Sequence, residues 1–226
     1  MLATVAHEFR NALTPLKGYL TILAKDGHRP GDGPGEDGEG FRVMLRQADR
    51  LERLVSDLLA ASTLSSGRVP IVPESMDLRA LVLEQMETVR RTTGRTIALR
   101  SPAPPVRVVA DPLRVSQVLA NLLSNAVRYS PPGSAVTMTV APSEERVILS
   151  VHDDGPGIPV EEQDRLFVPF ARTTGGEGSA RVDGTGLGLY VSRALVQGMG
   201  GRMWVVSRPD RGSTFSFSLP GENGAQ

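Results

Sequence analysis

Apolar residues at Leu2, Val5, Phe9, Leu13, Leu16, Leu20 and Leu23 recur at gaps of three and four, which predicts an amphipathic helix with a single apolar stripe. A second stripe runs through Phe41, Met44, Ala48, Leu51, Val55 and Leu58, widened by Leu54 and Leu59. Between them lies "GHRPGDGPGEDGEG", whose Gly, Pro and Asp residues cannot sustain a helix and predict a flexible connection. Two helices so joined form an antiparallel hairpin. Stripes this wide need further cover, most simply a second hairpin from another copy of the chain, giving a four-helix bundle in a homodimer. Packing against the chain's own C-terminal half is the alternative.

After "SSGRVPIVPES", which reads as a linker, the pattern changes to alternation. "MDLRALVLEQMETVRRTTG" is helical in period, with Asp77 as N-cap and Gly94 as stop. "TIALRSP" and "VRVVA" read as strands, and "DPLRVSQVLANLLSNAVRYS" as a helix capped by Asp111 with Pro112 in its first turn. "AVTMTVAP" and "RVILSVHD" predict a hairpin turning at 142–146. A short helix near 161–167, a Gly-rich stretch, a helix at about 187–198 and the strands "GRMWVVSR" and "GSTFSFSLP" complete the chain. The fold class expected is α+β: a helical hairpin over 1–66, a linker at 67–73, an α/β sandwich with a mixed sheet over 74–220, and a disordered tail at 221–226.

Composition narrows the chemistry. Among 226 residues, Lys+Arg and Asp+Glu balance at 25 each, so no overall field favours nucleic acid or an anionic membrane. The absence of cysteine removes disulfides, thiolate metal sites and thiol nucleophiles. No apolar run approaches the roughly 20 residues that span a bilayer. A cytoplasmic location is expected, with membrane contact only through sequence upstream of residue 1. Because "TVAHEFRNAL" begins at residue 4, the chain is expected to be a piece of a longer protein.

At about 100° per residue, His7 falls roughly 160° from the first stripe, sharing the outward face with Asn11 while Glu8 flanks it. That direction argues against a core histidine. His28 and His152 offer no HxxxH or HExxH pairing, so a metal reading is poor. An exposed imidazole beside a carboxylate suits nucleophilic or acid–base work, and the helix alone goes no further than that suggestion. In the C-terminal half, "NLLSNAVRY" puts Asn121 and Asn125 on one helical face ahead of Arg128 and Tyr129. "DDGPGIP" ends a strand with Asp153, then Gly155, Gly157 and Ile158 in a turn open to close backbone approach. "DGTGLGL" places Gly184, Thr185, Gly186, Leu187 and Gly188 at a helix start whose free amides suit phosphate oxygens. It lacks a P-loop lysine, and Leu189 stands where the dinucleotide fingerprint needs its third glycine. Each stretch alone is weak: amides four apart are often a solvated face, and an Asp-Gly loop is often only a turn.

In their order, with Phe167 and Phe170 of "LFVPFAR" between the second and third, these motifs resemble the sensor histidine kinases of two-component signalling over nearly the whole chain. The resemblance implies a dimerisation and phosphotransfer hairpin followed by an ATP-binding domain of the Bergerat fold shared with gyrase, the heat-shock chaperone and mismatch-repair ATPases. It implies His7 as phosphoacceptor, Glu8 as its acid–base partner, and Asn11 as an orienting residue for dephosphorylating a response regulator. It implies Asn125 as the Mg²⁺ ligand with Asn121 close by, and Asp153 as acceptor of the adenine amino group. Gly155, Gly157 and Ile158 then form the adenine loop, Arg128, Tyr129 and Phe170 flank the nucleotide, and Arg172 neutralises the γ-phosphate. Gly184, Thr185, Gly186, Leu187 and Gly188 form the hinge of a lid over the phosphates, and "RTTGGEGSARVD" reads as mobile.

The cofactors implied are ATP and Mg²⁺, and the partners a second copy and the receiver domain of a response regulator. Hydrolysing relatives of that fold carry a glutamate where Asn121 stands; an amide cannot take a proton, which favours a kinase over a simple ATPase. One position departs from the family. Its members usually carry proline five residues after the histidine, whereas this chain has Ala12 there and Pro15 three residues on. Proline inside a helix costs about 3 kcal/mol unless a kink accommodates it, so the bend is expected one turn later. A degenerate dimeric scaffold and a hydrolytic ATPase of the same fold are the alternative functions.

Overall fold

The computed structural model describes residues 70–103, 105–171 and 186–222, together with Leu13, Thr14, Gly18, Met44, Ala48 and Leu51. The chain divides into two compact units, Met1–Ser62 and Thr63–Gln226. In the first unit the six described residues are all helical, at positions where the heptad-like spacing predicts helix, and Leu13 is 49% exposed. Pro15 and the connection between the two stripes lie outside the described residues.

The second unit is a layered α/β domain. Its elements are β1 (Glu74–Asp77), α1 (Leu78–Thr93), β2 (Ile97–Arg100), β3 (Arg107–Ala110), α2 (Pro112–Tyr129), β4 (Val136–Pro142), β5 (Arg146–Asp153), α3 (Val160–Gln163) with a following 3-10 turn (Asp164–Phe167), α4 (Gly188–Gly198), β6 (Arg202–Ser207) and β7 (Ser213–Pro220). Strands β2-β4-β5-β7-β6 form one sheet, while β1 and β3 pair as a separate ribbon. Only β2 runs parallel to its neighbour, β4, so the large sheet is mixed.

Local signals set the helix ends. The Asp77 carboxylate accepts from the Arg79 amide and Gly94 closes α1 in the left-handed conformation at φ 69°. The Asp111 carboxylate accepts from the Arg114 amide, with Pro112 at the start of α2. Along α2, Val115, Val118, Leu119, Leu122, Leu123 and Ala126 are all buried, the three–four spacing of one helical face. On the sheet, Val136, Met138 and Val140 of β4 and Val147, Leu149 and Val151 of β5 are buried, alternating with more exposed residues. The opposite face is polar and laterally bonded, through Ser150 to Ser216 at 2.8 Å and His152 to Thr214 at 3.0 Å. Helix α2 packs on β5 and α4 on β6 and β7, with α2 and α4 against each other. Each core leucine or phenylalanine removed from water contributes roughly 1.5–3 kcal/mol.

Strand β1 is absent from the sequence reading, which ran the linker stretch through Ser75 and took Met76 and Asp77 only as the approach to a helix capped by Asp77. Instead Glu74–Asp77 pairs antiparallel with β3, Met76 opposite Val108, and Met76 is its one buried residue. The short helix near 161–167 also splits, becoming 3-10 from Asp164.

Candidate functional site

Strand alternation decides where Asp153 points. It follows Val147, Leu149 and Val151 at intervals of two, so it shares their helix-facing side, yet it is the last residue of β5 and sits where the core opens. Only 4% of it is exposed. Burial pushes its carboxyl above the usual carboxylate range, opposed by amide donation from Gly155 and Ser213 and by the neighbouring His152. The Gly155 amide donates to Asp153 Oδ1 at 2.9 Å.

The loop after Asp153 holds its shape through glycine and a buried hydroxyl. A Cβ on Gly155 would stand 2.6 Å from Asp153 Oδ1 and 3.0 Å from the Tyr129 carbonyl oxygen. Gly157, at φ +72°, faces the Arg208 carbonyl so closely that a Cβ there would overlap it. The Ile158 amide donates to Ser207 Oγ at 2.8 Å, and the Ser207 hydroxyl donates to the Gly212 carbonyl at 2.8 Å. Gln163 Nε2 bridges the carbonyls of Ile158 and Ser207 at 3.0 and 2.9 Å, and the Asp210 amide reaches the Pro156 carbonyl at 2.7 Å. The 154–158 loop is thereby fixed to the β6–β7 turn.

The second part of the site is the contact between α2 and α4. Asn121 is part-buried, and its Nδ2 donates to Ser192 Oγ at 3.0 Å. A Cβ on Gly188, the first residue of α4, would collide with Asn121 Oδ1 and stand 3.0 Å from its Cγ. One turn on along α2, Asn125 is half-buried, and Arg128 and Tyr129 are exposed in the last turn. The surface-solvation reading of Asn121 therefore gives way to an amide held between two helices.

The third part closes a chain excursion. The Phe170 amide donates to the Gly186 carbonyl at 2.9 Å, with Phe170 itself at φ 63° and Gly186 at φ 68°. A Cβ on Gly186 would meet Phe170 and Ala171 backbone at 2.8 Å. Leu187 is buried and Phe167 lies beneath the Arg193 guanidinium, 5.1 Å from its ring centre. His7, Glu8, Asn11, Arg172, Gly184 and Thr185 lie outside the described residues.

Asp153, Gly155, Gly157 and Ile158 thus form one loop at the end of β5, Asn121 meets Gly188 between α2 and α4, and Tyr129 joins the two through its carbonyl at Gly155. Sequence reasoning passed over Ser192, Ser207, Gln163 and Gly212. Only the last carried a local signal, a glycine between charged turn residues and a strand. Among the described residues no group of three or more His, Cys, Asp or Glu side chains could hold a metal ion. A hard cation here would need most of its oxygens from a ligand, which an Asn amide oxygen suits better than a carboxylate cage. A buried carboxylate acceptor at a strand end suits a ligand that carries an amino group, and the glycines beside it let the protein's own backbone pack close around that carboxylate. No helix among the described residues is long and apolar enough to cross a membrane.

Residues 1–67 match the model of the His Kinase A (phospho-acceptor) domain, and residues 110–223 that of the histidine kinase-, DNA gyrase B- and HSP90-like ATPase. The chain is 37% identical over 225 residues to the adaptive-response sensory kinase SasA of Parasynechococcus marenigrum (strain WH8102), a match covering 97% of this chain and 56% of the relative. It therefore spans little more than half the length of that relative. The Acinetobacter baumannii histidine kinase AdeS superposes with a TM-score of 0.74 at 27% identity, over 96% of this chain and 98% of that one. Histidine kinase ThkA, solved in complex with response regulator protein TrrA, superposes with a TM-score of 0.76 at 26% identity, over 100% of this chain and 62% of that one.

Proposed function

This chain belongs to the sensor histidine kinases of two-component signalling, and on that premise we propose that it transfers the γ-phosphoryl group of ATP to His7 and then to an aspartate of a response regulator. The observation that carries the nucleotide half is Asp153, a carboxylate 4% exposed at the end of β5 with Gly155 and Gly157 beside it. Its carboxylate accepts the N6 amino hydrogen of adenine, which guanine lacks, so the base is selected by hydrogen bonding in a desolvated pocket. Gly155, Gly157 and Ile158 form the wall beside the base, and Arg128, Tyr129 and Phe170 flank the nucleotide.

The phosphates lie toward Asn121, Asn125 and the start of α4, with Gly184, Thr185, Gly186, Leu187 and Gly188 closing over them and Arg172 near the γ-phosphate. Asn125 is suited to hold Mg²⁺, which when bound neutralises phosphate charge. In the transfer a ring nitrogen of His7 forms a bond to the γ-phosphorus as the bond to the β–γ bridging oxygen breaks. ADP leaves with that electron pair, and Glu8 takes or orients the imidazole proton. Phosphoryl transfer needs in-line placement and charge neutralisation above all, which a hinged nucleotide module supplies.

The domain boundaries proposed are 1–66 for the phosphotransfer hairpin, 67–73 for the linker, 74–220 for the ATP-binding domain and 221–226 for a tail. Leu13, half-exposed in the single chain although it lies on the apolar stripe, supports a homodimer through the hairpin. Asn11 is placed to assist dephosphorylation of the regulator. Incubation with γ-labelled ATP and Mg²⁺ tests the reading. Acid-labile, alkali-stable label that disappears in His7→Ala supports it; steady phosphate release without label supports an ATPase; neither supports a scaffold.

A further inference from the structure

Gly188 and Ser192 are four residues apart, one turn of α4, and so share a face of that helix. Asn121 and Asn125 are likewise one turn apart on α2. The two pairs meet at Asn121. Its Nδ2 donates to Ser192 Oγ at 3.0 Å, and its Oδ1 lies where a Cβ on Gly188 would be. Ser192 is 2% exposed, so water does not compete for its hydroxyl.

The geometry points to Ser192 as a positioning residue for the phosphate-binding half of the nucleotide site: its hydroxyl anchors the Asn121 side chain in the slot beside Gly188. With Ser192 accepting from Nδ2, the amide oxygen is held toward the opening of α4. Without that partner the Asn121 side chain loses its tie to α4 and is free to leave the slot, one turn from Asn125. Gly188 completes the slot, since any side chain there would expel Oδ1. The inference rests on the proposed ATP site, and extends it by separating phosphate placement from recognition of the base, which belongs to Asp153 some way along the sheet.

The test uses the full chain and three probes: adenosine, Mg-ADP and the Mg-bound non-hydrolysable ATP analogue, measured by competition with a fluorescent nucleotide. Ser192→Ala removes the acceptor, and Ser192→Cys keeps nearly the same volume with a poor one, which guards against a packing defect; melting curves check that both fold. The loss of one buried hydrogen bond corresponds to about fivefold in affinity. Both variants are expected to weaken the two phosphate-bearing ligands about fivefold while changing adenosine less than about twofold. Added to Asn121→Ala, Ser192→Ala is expected to cost nothing further, because the two act through one contact. Equal weakening of adenosine, unchanged affinity for Mg-ADP, or additive losses in the double variant would overturn the inference while leaving the ATP site intact. A wild-type chain that bound none of the three ligands would overturn both.

Discussion

Gly157 and the carbonyl of Arg208 stand in contact with no space for a side chain between them. This is one of the ties between the loop that follows Asp153 and the turn joining β6 to β7, and Gly157 makes it at φ +72°. Gly157→Ala is therefore expected to lose roughly 1 kcal/mol from the backbone conformation alone, and more from the overlap. The denaturation midpoint of the second unit should fall, and nucleotide affinity with it. Gly94→Ala is the control: its φ of 69° is as positive, but nothing lies within 4 Å of the added Cβ, so it should lower stability and leave nucleotide affinity alone.

Asp153 gives a pH dependence with a definite sign. Burial raises its folded-state pKa above the usual carboxylate range, so across that window the folded chain binds more protons than the unfolded one. Stability contributed by this group is therefore present at low pH and lost as pH rises through the folded pKa. Melting temperatures of the free protein, compared with those of Asp153→Asn, should show the difference between wild type and variant moving against wild type as pH rises, then levelling. A difference that moves in wild type's favour would contradict it. Adenine affinity should run the other way, weakening on acidification from a higher pH than an ordinary aspartate would give.

Asp111 holds two groups at once. One oxygen accepts from the Arg114 amide at 3.2 Å as the cap of α2, and the other from the Val72 amide at 3.0 Å. Asp111→Ala should cost about 1–2 kcal/mol, read from the denaturant midpoint at unchanged slope. Asp111→Asn, which keeps one acceptor, should cost less.

Arg193 over the Phe167 ring ties α4 to the 3-10 turn before the Phe170–Gly186 closure. Arg193→Ala is expected to destabilise by about 0.5–1 kcal/mol, and Arg193→Lys to retain part of that. Equal stability of all three forms would show that the stacking contributes nothing.

What was legible in the sequence was local. Asp77, Gly94, Asp111 and Pro112 mark helix ends by chemistry that acts over one turn, and they stand at those ends. The β4–β5 hairpin and the final strand pair follow from alternation and short turns. Strand β1 was illegible, because a four-residue strand with one buried side chain carries almost no period and exists only through β3. The glycines of "DDGPGIP" and "DGTGLGL" announced close approach, and Gly155, Gly157 and Gly188 each have an atom where a side chain would go. What they approach could not be read: the Arg208 carbonyl and the Asn121 amide are distant in the chain. Ser192 and Ser207 are ordinary serines until partners 71 and 49 residues away give them work.

The central claim, phosphoryl transfer from a nucleotide held at Asp153 to the imidazole of His7, is tested most directly by locating the phosphoryl group. Tandem mass spectrometry of the full chain after incubation with Mg-ATP, with digestion kept at alkaline pH, is predicted to find a single modification on His7, absent from Asp153→Ala at the same nucleotide concentration. A phosphoryl group on any other residue, or an unmodified His7 in protein that binds and consumes ATP, would contradict it.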